Sequence, residues 1–428
     1  MKILFVTNTF SPHVGGVARS IEAFLSEYRR RGHRVLVFAP EFEDMPRDET
    51  DVVRVPAIEN FNKSTFSLAL PIPGFLHNSV RKFEPDIVHS HHPFLLGATA
   101  LRIAHVYRLP MVFTHHTLYE RYTHYAPGGD SDALRRFIVR LATHYANLCD
   151  AVFAPSRSIA DLLVKRNVEV PIHVIPTGID LERFRRGNGP GFRKAMDIPP
   201  KTLLFGHIGR LAPEKNLGFL ADVAAHFMKR EPRAHFLLVG KGPALAAMQA
   251  IFRREGLTDR VHTAGILEPP LLSSAYQAMD AFLFTSKTET QGMVLAEAMA
   301  AGTPVVALDG PGARDVVRDG ENGRLVPEEN VQRFCEALEW IFSLDKKERA
   351  RVKRRIRKTA RSCSLEECAG RALDIYRDLK ESEIEFESKN YDPWRLARRY
   401  LDIEFDMFKG VFQSTLAAFS GKNESESS

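Results

Sequence analysis

The chain has 428 residues, 44% of them hydrophobic and 26% charged, a balance that gives two or three globular domains and excludes a disordered or fibrous protein. No stretch approaches the roughly 20 apolar residues that span a bilayer, so a transmembrane protein is excluded as well. The 59 Lys and Arg against 53 Asp and Glu leave a formal charge of +6, which favours anionic partners but does not choose among nucleotide, anionic lipid and nucleic acid.

Met1 to Thr7 is too short an apolar run for a secretory leader and reads as a first buried strand. Short apolar runs then alternate with amphipathic stretches, the pattern of a parallel sheet covered by helices. Ile3 to Thr7, Val35 to Ala39, Val52 to Val55, Ile87 to Ser90, Val112 to Thr114, Ala151 to Ala154 and His173 to Ile175 are predicted strands. Residues 17–31, 95–107, 132–148 and 156–166 are predicted helices, with Gly32, Pro110 and Pro155 as stops. Together they predict one doubly wound domain over residues 1–184. The run Arg185-Arg186-Gly187-Asn188-Gly189-Pro190-Gly191 predicts a linker over 185–200. The alternation resumes over 201–380 with strands at Leu203 to Ile208, Phe236 to Gly240, Val261 to Ala264, Ala281 to Thr285 and Val305 to Leu308. Two α/β lobes of similar size leave a cleft facing the strand carboxyl ends, where such sheets bind ligands. Residues 381–428 hold an acidic stretch, then an amphipathic segment opened by Tyr391-Asp392-Pro393-Trp394, then a polar tail from Gly421 to Ser428. Leu396, Tyr400, Ile403, Phe405, Phe408, Val411 and Phe412 make one broad apolar face on that segment. Cys149, Cys335, Cys363 and Cys368 have neither metal-site spacing nor the density of a disulfide framework, which predicts a reducing, cytoplasmic setting.

Four constellations carry chemistry. Gly15-Gly16 follows the first strand and opens a helix, which suits either a phosphate approaching bare backbone amides or a tight turn. Arg210 leaves the first strand of the second lobe and Lys215 enters the next helix, so both cations suit one polyphosphate, with surface ion pairs as the alternative. Glu289 falls in a loop and Glu297 on the helix beyond it, with Gly292 and the amides of Met293 and Val294 between them. Two carboxylates at different depths suit the hydroxyls of two sugar rings around a phosphate, or else an N-cap acid and a solvated helix acid. His89, His91 and His92 follow one strand, His115 and His116 the next, with His124 further on; lacking acidic ligands in a standard motif, they suit an active cleft better than zinc, and no metal site is expected. Asp130-Ser131-Asp132 starts a helix and reads as its cap.

Read together, the Gly15-Gly16 loop, Asp86-Ile87-Val88-His89-Ser90-His91, Phe113-Thr114-His115-His116-Thr117, Pro176-Thr177-Gly178-Ile179-Asp180, the Arg210/Lys215 segment, Gly240-Lys241-Gly242-Pro243, the Glu289/Glu297 element and Gly302-Thr303-Pro304-Val305-Val306 resemble the retaining glycosyltransferases of family 4. The resemblance implies a GT-B fold, two Rossmann-like doubly wound α/β domains facing a central cleft. It also implies a nucleotide-sugar donor, with UDP-sugar favoured, and no cofactor. Arg210 and Lys215 are then expected on the diphosphate, Glu297 on the ribose hydroxyls, Glu289 on the donor sugar, and Gly16 near the phosphate. His116 is expected beside the anomeric centre, where an oxocarbenium-like charge develops. The last segment suits a bilayer surface, a dimer interface or a return to brace the N-terminal domain; the family's architecture implies the return, and Asp402, Glu404 and Asp406 weigh against contact with an anionic membrane.

The segments His116 to Tyr125, Pro176 to Asp180 and Glu289 to Gly292 are similar to the diacylglycerol glucosyltransferase branch; His91, His92, Tyr119, Tyr122 and His124 are the acceptor-side candidates. A membrane lipid acceptor and peripheral contact with an anionic inner membrane face follow from that likeness. Phe61, Phe66, Leu68, Leu70, Ile72, Phe75 and Leu76 suit such contact or burial in their own lobe, and the basic run Lys346 to Arg361 suits it or a solvated helix face. The enzymatic alternative is a soluble saccharide or cyclitol acceptor. A non-catalytic nucleic-acid binder is disfavoured, since the basic run has no interleaved stacking aromatics.

Overall fold

The structure, a computed structural model, describes every residue except 14, 47, 59–67, 70–75, 122, 124–130, 383–392 and 420–428. Tyr122, His124, Phe61, Phe66, Leu70, Ile72, Phe75, the Tyr391-Asp392 opening and the polar tail lie outside the described residues. The chain divides into two units, Met1–Pro176 with Ala369–Ser428, and Thr177–Cys368.

In chain order the first unit carries β1 (Lys2–Val6), α1 (Gly16–Arg30), β2 (Arg34–Pro40), β3 (Val52–Val55), β4 (Ala57–Ile58), β5 (Leu68–Ala69), α2 (His77–Phe83), β6 (Ile87–Ser90), α3 (Leu96–Tyr107), β7 (Met111–Thr114), α4 (Asp132–Asn147), β8 (Ala151–Ala154), α5 (Arg157–Lys165) and β9 (Ile172–Val174). Its seven-stranded sheet is parallel in the order β3-β2-β1-β6-β7-β8-β9, while β4 and β5 form an antiparallel pair. Ile3, Leu4, Phe5 and Val6 are all buried because both faces of a parallel sheet are covered. The Ser131 side chain caps α4 by accepting from the Leu134 amide at 3.2 Å.

The second unit carries α6 (Leu181–Arg185), α7 (Gly189–Ala195), β10 (Leu203–Ile208), α8 (Leu217–Arg230), β11 (Ala234–Val239), α9 (Leu245–Arg254), β12 (Val261–Gly265), α10 (Leu271–Ala278), β13 (Ala281–Phe284), α11 (Met293–Ala300), β14 (Val305–Leu308), α12 (Ala313–Val316), β15 (Gly323–Val326), α13 (Val331–Ser343) and α14 (Lys346–Ser362). Its six parallel strands run β12-β11-β10-β13-β14-β15. Alternate residues feed two cores: Leu204, Ile208, Leu237 and Val239 into one, Phe205, Phe236 and Leu238 into the other. The edge strand β15 is absent from the sequence reading because Gly323-Arg324-Leu325-Val326 is short and interrupted by a charge.

The segment 185–200, read as a linker, is instead packed structure. Asn188 caps α7 with its side chain on the Gly191 amide, and Phe192 is buried. A Cβ on Gly187 would lie 2.7 Å from Ser273 backbone, and one on Gly189 would lie 2.5 Å from the Gln277 carbonyl oxygen. These glycines serve close approach to α10, so their abundance marks tight packing and not flexibility. The unit boundary falls earlier, at Pro176, and the chain crosses back at Cys368 within α15 (Leu365–Ser382).

The last helix, α16 (Pro393–Phe419), packs on α4 and α3 of the first unit. Arg102 on α3 forms a two-pronged ion pair with Glu404, His144 Nε2 meets the Asp406 carbonyl at 2.9 Å, and Lys380 Nζ donates to Asp86 at 2.8 Å. The broad apolar face expected on α16 splits in two. Tyr400 and Ile403 join the core, whereas Phe405, Phe408, Val411 and Phe412 are exposed. Among the described residues no helix is long and apolar enough to cross a membrane.

Replacing Gly189 by Ala should lift α7 from α10 and destabilise the second unit by about 1–3 kcal/mol, as overpacking does. A lowered thermal midpoint in calorimetry is the expected result; an unchanged midpoint would mean that the contact is loose.

Candidate functional site

In each sheet the strand order reverses beside the first strand, at β1/β6 and at β10/β13, and a doubly wound sheet leaves a crevice beyond the carboxyl ends at that point. The second unit fills the β10/β13 edge with charge. The loop after β10 passes Gly209 and Arg210 and turns at Asn216, whose left-handed backbone (φ 56°) starts α8. Thr285, at the end of β13, donates its hydroxyl to the Lys215 and Asn216 carbonyls and so ties this turn to the neighbouring strand.

Across the reversal, Lys215 Nζ lies 3.0 Å from Glu289 Oε2, with both side chains less than a quarter exposed. Burial raises the carboxyl's proton affinity, but Lys215 and the amides of Gly292 and Gln291 outweigh it, and the pKa lies below the ordinary carboxylate value. Glu289 is therefore an anion with an ordered direction. Arg210 is more exposed and is held by Glu214 four residues on. The two cations expected on one polyphosphate are thus each held by a different carboxylate.

Glu289 lies in the loop before α11 and Glu297 on that helix. The hydroxyl of Tyr276, a fully buried residue on α10, donates to Glu297 Oε2 at 2.8 Å. Gly292 begins α11 at φ 75°, where a Cβ would lie 2.8 Å from the Gly312 carbonyl oxygen. Gly292 supplies no capping side chain, so Met293 and Val294 open α11 with uncapped backbone, a favourable end for an anion. Thr177 Oγ1 donates to Gln291 Oε1 at 2.8 Å and steadies the same loop. Sequence reasoning missed Tyr276, Thr285 and Gln291, because a buried tyrosine in an apolar helix and polar residues in a turn carry no motif. Among the described residues no group of three His, Cys, Asp or Glu is placed to hold a metal ion.

In the first unit the histidines separate into different roles. His89 is a core histidine, bridging Thr114 Oγ1 at 2.6 Å and the Tyr376 hydroxyl of α15. His91 Nδ1 meets His116 Nε2 at 3.0 Å, with the rings stacked, while His91 Nε2 is buried with no hydrogen-bond partner among the described residues. His92 Nδ1 accepts from the Asn8 amide at 3.1 Å, which commits it to shaping the turn after β1. Tyr119 packs edge-on to Phe94 and His115, its hydroxyl buried and without a partner among the described residues. Of the acceptor-side candidates, then, the structure brings His91 to His116, while His92 is held by the Asn8 amide and Tyr119 packs beside His115. Gly16 is the exposed first residue of α1, with nothing within 4 Å of where a Cβ would be.

Burial lowers the pKa of His89 and His92 to about 3 and of His115 to about 4, and holds His91 and His116 well below the ordinary value. These rings are neutral at physiological pH. The unfolded chain binds protons on them below about pH 6.5, whereas the fold does not, so stability is present above that pH and falls as the pH drops toward 4. Urea unfolding at pH 7 and pH 5 should give the lower midpoint at pH 5; equal midpoints would mean that the rings are protonated within the fold.

Two family models match the chain in succession: Glycosyltransferase Family 4 over residues 14–183 and Glycosyl transferases group 1 over residues 190–359. An alpha-monoglucosyldiacylglycerol synthase of Streptococcus pneumoniae is 31% identical over 342 residues, covering 76% of this chain and 75% of that one. A GDP-mannose-dependent alpha-mannosyltransferase of Mycobacterium tuberculosis is 31% identical over 337 residues, covering 76% of this chain and 84% of its own. The crystal structure of Anabaena Alr3699/HepE in complex with UDP superposes with a TM-score of 0.70 at 21% identity, covering 88% of this chain and all of that one, and so shares the fold. The chain, with its two parallel α/β units, belongs to glycosyltransferase family 4 and has the GT-B fold.

Proposed function

We propose that the protein transfers a hexosyl group, with retention of anomeric configuration and without a divalent metal, from a UDP-sugar to the hydroxyl of diacylglycerol. The Lys215–Glu289 pair at the β10/β13 reversal is the observation that carries this reading. Lys215 and Arg210 neutralise the diphosphate, helped by the backbone at Gly292, Met293 and Val294, and Gly16 leaves room for phosphate against bare backbone. Glu297, oriented by Tyr276, takes the ribose hydroxyls, and Glu289 takes hydroxyls of the donor sugar.

In the transfer the bond between C1 and the β-phosphate oxygen breaks, its electron pair staying with the nucleoside diphosphate. The acceptor oxygen attacks C1 from the same face, and its proton passes to the departing phosphate oxygen. The developing negative charge is met by fixed cations and backbone dipoles. His116, neutral and hydrogen-bonded to His91, positions and polarises near the anomeric centre, which suits a neutral hydrogen-bonding group better than a second cation. The pneumococcal relative's name supports a diacylglycerol acceptor, and the basic face of α14, exposed at Lys353, Arg354, Arg357 and Lys358, supports an anionic membrane contact at the inner face of the cytoplasmic membrane.

Lys215→Ala should weaken UDP binding at least about tenfold by calorimetric titration, since it removes a charge from the phosphate site. Glu289→Gln should bind UDP within a few-fold of the wild type yet lower turnover of UDP-glucose with diacylglycerol by about 10²–10³, the cost of one misplaced electrostatic contact. Full turnover by Glu289→Gln would overturn the donor-sugar role. Turnover should persist in EDTA; its loss on chelation and return with magnesium would overturn the metal-free reading.

A further inference from the structure

Among the described residues, the outward face of α16 has no partner. Leu401, Phe405, Phe408, Phe412 and Leu416 recur every three or four residues along one side, with Val411 at the margin, and these six are between 42% and 69% exposed. The opposite side of the same helix is the one that packs, through Ile403, the buried Gly410 and Ser414, and Ala418, whose carbonyl accepts from Arg136. The stripe is therefore not a core face awaiting completion. It is a convex ridge of three phenylalanines, two leucines and a valine on a helix already anchored from behind.

We infer that this ridge seats the first unit on a lipid bilayer by apolar insertion, with α16 lying in the plane of the interface. The charges along it fit headgroups. Arg398 sits on the same side as the stripe and Lys409 at its edge, both exposed, where long side chains reach phosphates while the rings enter the acyl boundary. On the other margin the acid Glu404 is consumed by Arg102, and Asp406 lies toward the α4 seam, which leaves Asp402 as the exposed acid near the ridge. Over the whole of α16 four cations face three acids, a net charge of only +1, so the driving force is apolar area more than attraction to anionic lipid. A second copy suits the ridge less well. Six such side chains offer about 600 Å² of apolar surface, below the about 800 Å² per partner of a stable interface.

This inference deepens the lipid-acceptor reading, because it names the surface that brings the enzyme to its acceptor, and it is tested apart from that reading. The full-length protein is sedimented with vesicles of phosphatidylcholine alone, free of diacylglycerol, at about 0.1 M and about 1 M salt, where charge contacts are screened. The wild type should sediment equally at both salt concentrations. The triple variant Phe405→Ser, Phe408→Ser, Phe412→Ser should lose at least tenfold in partition while keeping its circular dichroism, its UDP affinity and its activity on detergent-dispersed diacylglycerol. Failure of the wild type to sediment, or its release by salt, overturns the inference, as does a wild-type dimer in light scattering that the triple variant abolishes. Absence of transfer to diacylglycerol in any form, with vesicle partition intact, would instead sink the acceptor reading alone.

Discussion

The reversal of strand order in each parallel sheet is the constraint on which the rest depends. Beside β1 and beside β10 the crossover helices go to opposite faces, so the carboxyl ends there are covered by neither layer. Loops at that edge can present backbone and side-chain polar groups without burying them in the core. In the second unit those loops supply Lys215 from one strand and Glu289 from its neighbour. Their ion pair is the point where sheet topology becomes electrostatics. Removing either partner leaves the other charge part-buried and unpaired, so the pair orders the loop as well as equipping it.

The two units manage buried polarity in opposite ways. Glu289 keeps its charge because a lysine and backbone amides surround it. His89, His91, His92 and His116 of the first unit give up theirs, since burial withholds water from the charged ring. The result is a negatively charged hydrogen-bond acceptor with a cation beside it in one unit, and in the other a pair of neutral rings, His91 and His116, stacked with centroids 5.3 Å apart and joined nitrogen to nitrogen at 3.0 Å.

The C-terminal return completes the first unit and changes what its surface is. Tyr376 reaches His89, Lys380 reaches Asp86, and Glu404 reaches Arg102, so residues far apart in the chain close around the same sheet. Once α16 is fixed along α3 and α4, its orientation is no longer free, and the ridge of Phe405, Phe408 and Phe412 must face outward.

By itself the sequence determined the two parallel α/β units, nearly every strand of their sheets, and the order of the charged motifs, because continuous apolar runs and glycine-terminated helices are local signals. Glu289 in a loop and Glu297 on a helix were legible for the same reason. Tertiary structure alone decided which groups meet. Lys215 and Glu289 are 74 positions apart, Tyr276 and Glu297 are 21 apart, and no periodicity couples them. It also decided that Gly187 and Gly189 are packing surfaces, because a glycine's composition signal is the same in a flexible linker and under a neighbouring backbone. Likewise it divided the apolar residues of α16 between core and solvent, since hydrophobicity says which side chains leave water when they can and only the placement of α3 and α4 says which of them did.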